Sequence, residues 1–252
     1  MKRAPYIHRQ HRMGWFSCLC LGALLLGTAS TALSFDSVGK FVPLKSPQFN
    51  TGMTQEESIP APVFSGTFSP IQEPLSRQMM GTSYHQDCPV PLADLSQLTL
   101  SHWGTDGQVH SGTLVVADDY AEELLNVFEA LFNARFVIEK MQPVSFYDGS
   151  DSASMADNNT SAFNCRSTTG GTGWSEHSYG HAIDINPRWN PYVRGDTVLP
   201  PEGQPFTERN AALPGLIVEG DVVVRNFQQI GWTWGGNWRS LKDYQHFSAN
   251  GR

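Results

Sequence analysis

The sequence has 252 residues, 40% hydrophobic and 16% charged, with 17 Lys and Arg against 24 Asp and Glu and a formal charge of −7. That is enough apolar material for one globular domain with residues to spare, and it excludes a wholly disordered chain. Four of the basic side chains, Lys2, Arg3, Arg9 and Arg12, lie in the first dozen residues, so the remainder offers no basic surface for phosphate and no nucleic acid partner is expected.

Those basic residues precede an apolar run from Trp15 to Leu26 and then the small residues GTASTALS. This order reads as a secretory signal peptide over 1–34, cut near Ala32 to Ser34, because the run is shorter than the ~20 residues that span a bilayer. A retained anchor is the alternative. After cleavage no membrane association is expected, and Cys18 and Cys20 leave with the signal. In an exported chain the remaining Cys88 and Cys165 are expected to pair, with two buried free thiols as the alternative. Neither has the close CxxC neighbour of a zinc-thiolate site.

From residue 35 to 84 the chain is rich in Pro, Ser, Thr, Gln and Gly without a sustained period, which predicts an irregular tether. Gly112 to Ala117 (GTLVVA) is strand-like. Asp119 to Lys140 is the clearest helix, with Leu124, Phe128, Leu131 and Phe132 as its buried stripe and Asp119 and Glu122 as a capping box. Asp148 to Gly173 is polar and Gly-rich, Ala182 to Ile185 is a short strand, and Asp221 to Ile230 is a second helix ended by Gly231. With no internal repeat, this predicts one α+β domain over 85–252.

Three histidines, His177, His181 and His246, fall in two dense polar segments, SEHSYGHAIDINP and KDYQHF. Imidazole and carboxylate are the usual ligands of a catalytic zinc, which takes three protein groups and keeps one position open. His177, Asp184 and His246 meet that count. The HxxxH spacing of His177 and His181 is not a helical HExxH motif, because Ser178 stands where Glu would and Gly180 interrupts the helix. Spacing alone leaves His181 and Asp184 as competing ligands. His85, His102 and His110 are isolated and receive no role. Trp232, Trp234 and Trp238 alternate with glycines before Asp243, either as core or as an aromatic wall beside a site.

The pattern Ser175-x-His177-x-x-Gly180-x-Ala182-x-Asp184, followed by Asp243-x-x-His246-Phe247, resembles the zinc D-alanyl-D-alanine carboxypeptidases and L-alanyl-D-glutamate endopeptidases, the family of VanX, VanY and several phage endolysins. The resemblance implies a hedgehog/DD-peptidase-like fold, a small antiparallel sheet with flanking helices. It also implies a Zn2+ cofactor held by His177, Asp184 and His246, with His181 at a variable position. Asp243 would be the general base, and Arg166, in NCRS, would stabilise the oxyanion as the family's upstream Arg does. Many carboxypeptidases of the family carry Glu at the base position, whereas Asp occurs in its endopeptidase-like branch. Ser175, Asp157 and Asn158 are candidate substrate-binding residues.

The implied substrates are peptidoglycan stem peptides, cut at D-Ala-D-Ala or L-Ala-D-Glu, and the implied location is the periplasm or exterior of a bacterium. Nothing in the sequence sets an oligomeric state. The alternatives are a non-catalytic zinc-binding, peptidoglycan-binding module of the same fold and a glycan-binding surface built on the tryptophans.

Overall fold

A computed structural model describes residues 60–209 and 213–251. The expected signal peptide over 1–34 and the first part of the expected tether lie outside the described residues. The second part of that tether is folded, which corrects the sequence reading. Gly66–Pro70 (β1) pairs antiparallel with a later strand, Gly66 opposite Leu100 and Pro70 opposite Ser96. Leu75–Met79 (α1) buries Leu75 and Met79. Composition hid both elements because β1 is an exposed edge, held by its ladder of backbone bonds and not by an apolar face, with Pro at its end where an edge strand tolerates it. The chain divides into Met1–Ser58 and Ile59–Arg252, so the folded unit begins well before the expected boundary at 85.

Leu95–Trp103 (β2) and Val109–Ala117 (β3) form the longest ladder, nine residues each, from Leu95 opposite Ala117 to Trp103 opposite Val109. The turn between them is closed by the Gly104 amide donating to the Gln108 carbonyl at 2.8 Å and the Gln108 amide donating to Asp106 Oδ1 at 3.0 Å. Period-2 alternation assigns Leu98, Leu100, Leu114 and Val116 to one face, where all four are fully buried. Leu95 and Val115 face the other way, into a second cluster with Leu75, Met79 and Phe163.

The main helix, Ala121–Asn133 (α2), buries Leu124, Phe128, Leu131 and Phe132 as their spacing predicts, against the β2–β3 face. Both of its expected ends are corrected. Asp118–Tyr120 form a 3-10 turn, the cap position is Tyr120 and no side chain caps the helix, so the Asp119–Glu122 box does not form. At the other end Arg135 takes a positive φ of 56° with its guanidinium 4.6 Å over the Trp103 ring, and the Ile138 amide donates to the Trp103 carbonyl at 2.9 Å. Pairing with the end of β2 takes the backbone that a longer helix would have used.

Lys140–Met141 (β4), Asp151–Ala156 (α3) and Asn159–Thr160 (β5) follow, with β4 and β5 parallel. The remaining strands are Ala182–Asp184 (β6), Tyr192–Arg194 (β7) and Thr197–Leu199 (β8). After them come Val222–Gln229 (α4), Thr233–Trp234 (β9), Lys242–Asp243 (β10) and His246–Ser248 (β11). They build two three-stranded antiparallel sheets, β6–β11–β9 and β10–β7–β8. Asp221 caps α4 by accepting the Val224 amide at 2.9 Å, and Val223, Val224 and Phe227 of α4 join the core. Phe227 stacks on Phe247 with ring centroids 4.3 Å apart, which seats β11 against the core one residue from His246. The domain is therefore α+β, with small antiparallel sheets and a few helices.

Cys88 and Cys165 form a disulfide across 77 residues of sequence. It ties the loop before β2 to the segment that leads into Arg166. Reduction, or the double change Cys88→Ser with Cys165→Ser, is expected to cost about 2–4 kcal/mol. At this domain size that is a fall of roughly 5–15 °C in Tm, read by thermal denaturation with and without reductant. An unchanged Tm would show that the loop is held by its packing alone.

Candidate metal centre and active site

Ser175 to Asp184 fold into a turn and a strand that deliver two candidate ligands. Ser175 caps a single 3-10 turn over Glu176–Tyr179, its Oγ accepting the His177 amide at 3.4 Å. Gly180 ends the turn at φ +72°, in left-handed backbone. Its carbonyl accepts the Ala117 amide at 3.0 Å, and a Cβ there would lie 2.4 Å from that same nitrogen. Only glycine lets the turn sit this close to β3. Ser178, in the place a helical zinc motif gives to Glu, instead accepts the Arg166 amide at 2.9 Å and donates to the Arg166 carbonyl at 2.8 Å. The ligand turn and the arginine segment are thus one unit.

Asp184 on β6 stands directly opposite His246 on β11. A cross-strand pair shares a face, and His177 reaches the same point from its turn. His177 Nε2 lies 3.2 Å from Asp184 Oδ2, His246 Nδ1 lies 3.0 Å from Asp184 Oδ1, and the two ring nitrogens are 3.3 Å apart. All three residues are buried.

His177 Nδ1 donates to the Ala162 carbonyl at 2.5 Å. That bond assigns the ring proton to Nδ1 and leaves the Nε2 lone pair facing the site, the backing expected of a histidine ligand. Burial would raise the Asp184 carboxyl, but when Nε2 also carries a proton the charge of His177, with hydrogen bonds from His177 and His246, holds it far below the usual carboxylate range, and a bound cation would take the place of that proton. A deprotonated Asp with two imidazoles suits a divalent cation of the zinc type. His181 is not part of the group. Its ring stacks on Tyr179 and meets Tyr120 edge-on, which decides between the two ligand candidates that spacing left open.

The three donors open on a cavity of about 370 Å³ whose lining includes Asp151, Arg166, Trp238, Asp243 and Gln245. Asp243 Oδ1 is enclosed with no hydrogen-bond partner among the described residues. Burial pushes its carboxyl up to about 7, opposed by the charges of His246 and Arg166 and reinforced by the Asp184 carboxylate. Gly235 permits this packing, since a Cβ there would fall 2.6 Å from the Asp243 carbonyl oxygen. Arg166 is held by Asp151 at 3.0 Å, while its Nε, Trp238 Nε1 and Gln245 Oε1 also lack partners among the described residues. Buried polar atoms without partners are costly, and these four belong to residues that line the cavity.

Two expected substrate residues are corrected. Asp157 accepts from Lys140 Nζ and from the Tyr147 hydroxyl. Asn158, at φ 55°, donates to Glu139 Oε2 at 2.7 Å and accepts the Arg188 and Trp189 amides. Neither lines the cavity; Asp157 is tied up by side-chain partners at the surface and Asn158 by buried bonds that brace the backbone at Arg188 and Trp189. Ser175 does line the cavity while capping the turn.

The tryptophans divide: Trp232 and Trp234 are core, whereas Trp238 stands 5.5 Å from the His246 ring. Asp151, Trp174, Arg194 and Gln245 also line the cavity and carried no motif. Gln245 alone had a signal, standing two residues from Asp243 at strand spacing.

Fold and site together define an α+β domain with a buried His–Asp–His donor set and a carboxylate beside it, the class of site found in metal-dependent hydrolases. Residues 168–249 match the family described as D-alanyl-D-alanine carboxypeptidase, so about a third of the chain is similar to that family. The matched span takes in Ser175, His177, Asp184, Asp243 and His246. No curated protein and no solved structure matches the chain.

Proposed function

We propose that this chain is an exported zinc peptidase that hydrolyses peptide bonds in peptidoglycan stem peptides. The observation that supports it is the convergence of His177, Asp184 and His246 on a cavity that also holds Asp243 and Arg166. Zinc in that donor set would supply Lewis acidity, lowering the pKa of a water and polarising the scissile carbonyl.

The chain's own residues do the rest. Asp243 takes a proton at its enclosed carboxylate and hands it to the leaving nitrogen. Arg166, fixed by Asp151, donates to the carbonyl oxygen as negative charge develops there. Ser175 holds His177 in place through the turn it caps. No covalent enzyme intermediate is needed, so ping-pong kinetics are not expected.

Export rests on the amino-terminal sequence pattern. Among the described residues no helix is long and apolar enough to cross a membrane.

The experiment is incubation of the purified protein with defined muropeptides, with and without chelator, and mass analysis of the products. Chelator-sensitive loss of D-Ala, or a cut between L-Ala and D-Glu, supports the reading. Binding of muropeptides by metal-loaded protein without any cleavage would leave a peptidoglycan-binding module in its place.

A further inference from the structure

Two arginines line the cavity, and they are not equivalent. Arg166 is neutralised by Asp151. Arg194, the last residue of β7, is exposed at the cavity wall, and while its backbone pairs with Thr197 its guanidinium makes no ion pair or hydrogen bond with any described residue.

Its position follows from strand register. Tyr192 stands opposite Asp243 on β10 and opposite Leu199 on β8, and all three line the cavity. Side chains at i and i+2 share a face of a strand, so Arg194 stands on the Tyr192 face, roughly 7 Å further along. Lys242 stands opposite Val193, and continuing that antiparallel register by one residue brings Leu241 opposite Arg194. Leu241 and Leu199 are the apolar members of this part of the lining. An uncommitted guanidinium with Leu241 beside it and Leu199 on the diagonal, one strand step beyond the carboxylate base, is chemically matched to a chain end that carries a carboxylate and a small apolar side chain.

We propose that Arg194 binds the C-terminal carboxylate of the substrate and so makes this site a carboxypeptidase rather than an endopeptidase. The proposal rests on the peptidase reading for its consequence, while the binding it predicts can be measured without turnover. Arg194 sets specificity: it contacts the terminal residue and leaves the proton transfers to Asp243.

The test uses the full zinc-loaded chain carrying Asp243→Asn, with calorimetric titration of diacetyl-L-Lys-D-Ala-D-Ala and of the same peptide with a C-terminal amide. The acid is expected to bind about tenfold or more tighter than the amide, the scale of a charge-assisted hydrogen bond. Adding Arg194→Gln should bring the two within about twofold, and Arg194→Lys should restore part of the preference. In the chain with Asp243 intact, Arg194→Gln should raise KM for the acid and leave kcat within a few-fold.

Equal binding of acid and amide, no detectable binding of the acid, or a preference that survives Arg194→Gln overturns the proposal. Cleavage of both peptides at the same rate also overturns it and leaves an endopeptidase. An Arg194-dependent preference in a chain that cleaves neither peptide upholds the carboxylate site and removes the peptidase reading instead. Because Arg194 is exposed, an unchanged Tm in the Gln variant separates lost binding from lost folding.

Discussion

Asp243→Asn is expected to lower turnover by about 10²- to 10⁴-fold, the range of a lost general base, with metal content unchanged. The amide keeps the size of the side chain and removes only its ability to take a proton. His177, Asp184 and His246, the group placed to hold the cation, are untouched. Stability should hold or rise, because the enclosed Oδ1 has no partner among the described residues and a buried carboxylate without one is a cost to the fold. Wild-type activity should fall on the acid side as Asp243 is protonated. Burial places its carboxyl at about 7, against the pull of His246 and Arg166, and a cation in the neighbouring group pulls it lower. The acid limb should therefore lie below pH 7 in the zinc-loaded protein, with kcat/KM rising as pH climbs through it. A pH–rate profile, metal analysis and a melting curve on both proteins test this. Full activity in Asp243→Asn would remove it from the proton path.

Gly180→Ala is expected to damage both fold and metal binding. A side chain at φ +72° meets backbone nitrogen of Ala117 at 2.4 Å and carbonyl carbon of Val116 at 2.9 Å, neither of which can move without disturbing the longest ladder in the domain. Left-handed backbone alone costs an L-residue about 1–2 kcal/mol, and the collision brings the expected total to ~3 kcal/mol or more. Gly220→Ala is the control: its φ is also +72°, but nothing lies within 4 Å of the added Cβ, so it carries the backbone strain without the collision. Because Gly180 closes the turn that presents His177, zinc affinity should fall in Gly180→Ala and stay intact in Gly220→Ala. Melting curves and a zinc titration of the two variants separate these terms. Equal destabilisation would mean that the approach to β3 carries no energetic weight.

Much of the site was legible in one dimension because its chemistry is local. The Ser175 cap, the glycine three residues after His177 and the Asp184 strand are all set by residues within ten positions of one another, and the Asp243–His246 pair likewise spans a single segment. The stripe of α2 and the presence of α4 were readable for the same reason, since helix faces are written in spacings of three and four. The capping box at Asp119 failed because Asp118–Tyr120 form a separate 3-10 turn, which puts Asp119 before the helix cap at Tyr120.

What sequence by itself offered was the candidate ligands, a candidate base and the order of the two motif halves, since each depends on residue type at short range. Tertiary structure decided the remainder. β1 exists only because β2 offers it an unpaired edge. Asp184 was chosen over His181 by pairing with β11, which aims the carboxylate at His246 and leaves His181 among tyrosines. Asp157 and Asn158 were taken from the site by long-range bonds to Lys140, Glu139 and the Arg188 amide. Arg194 entered it through the register of β7 with β10. Strand pairing joins residues tens of positions apart, and no short-range spacing encodes which partner a polar side chain will meet.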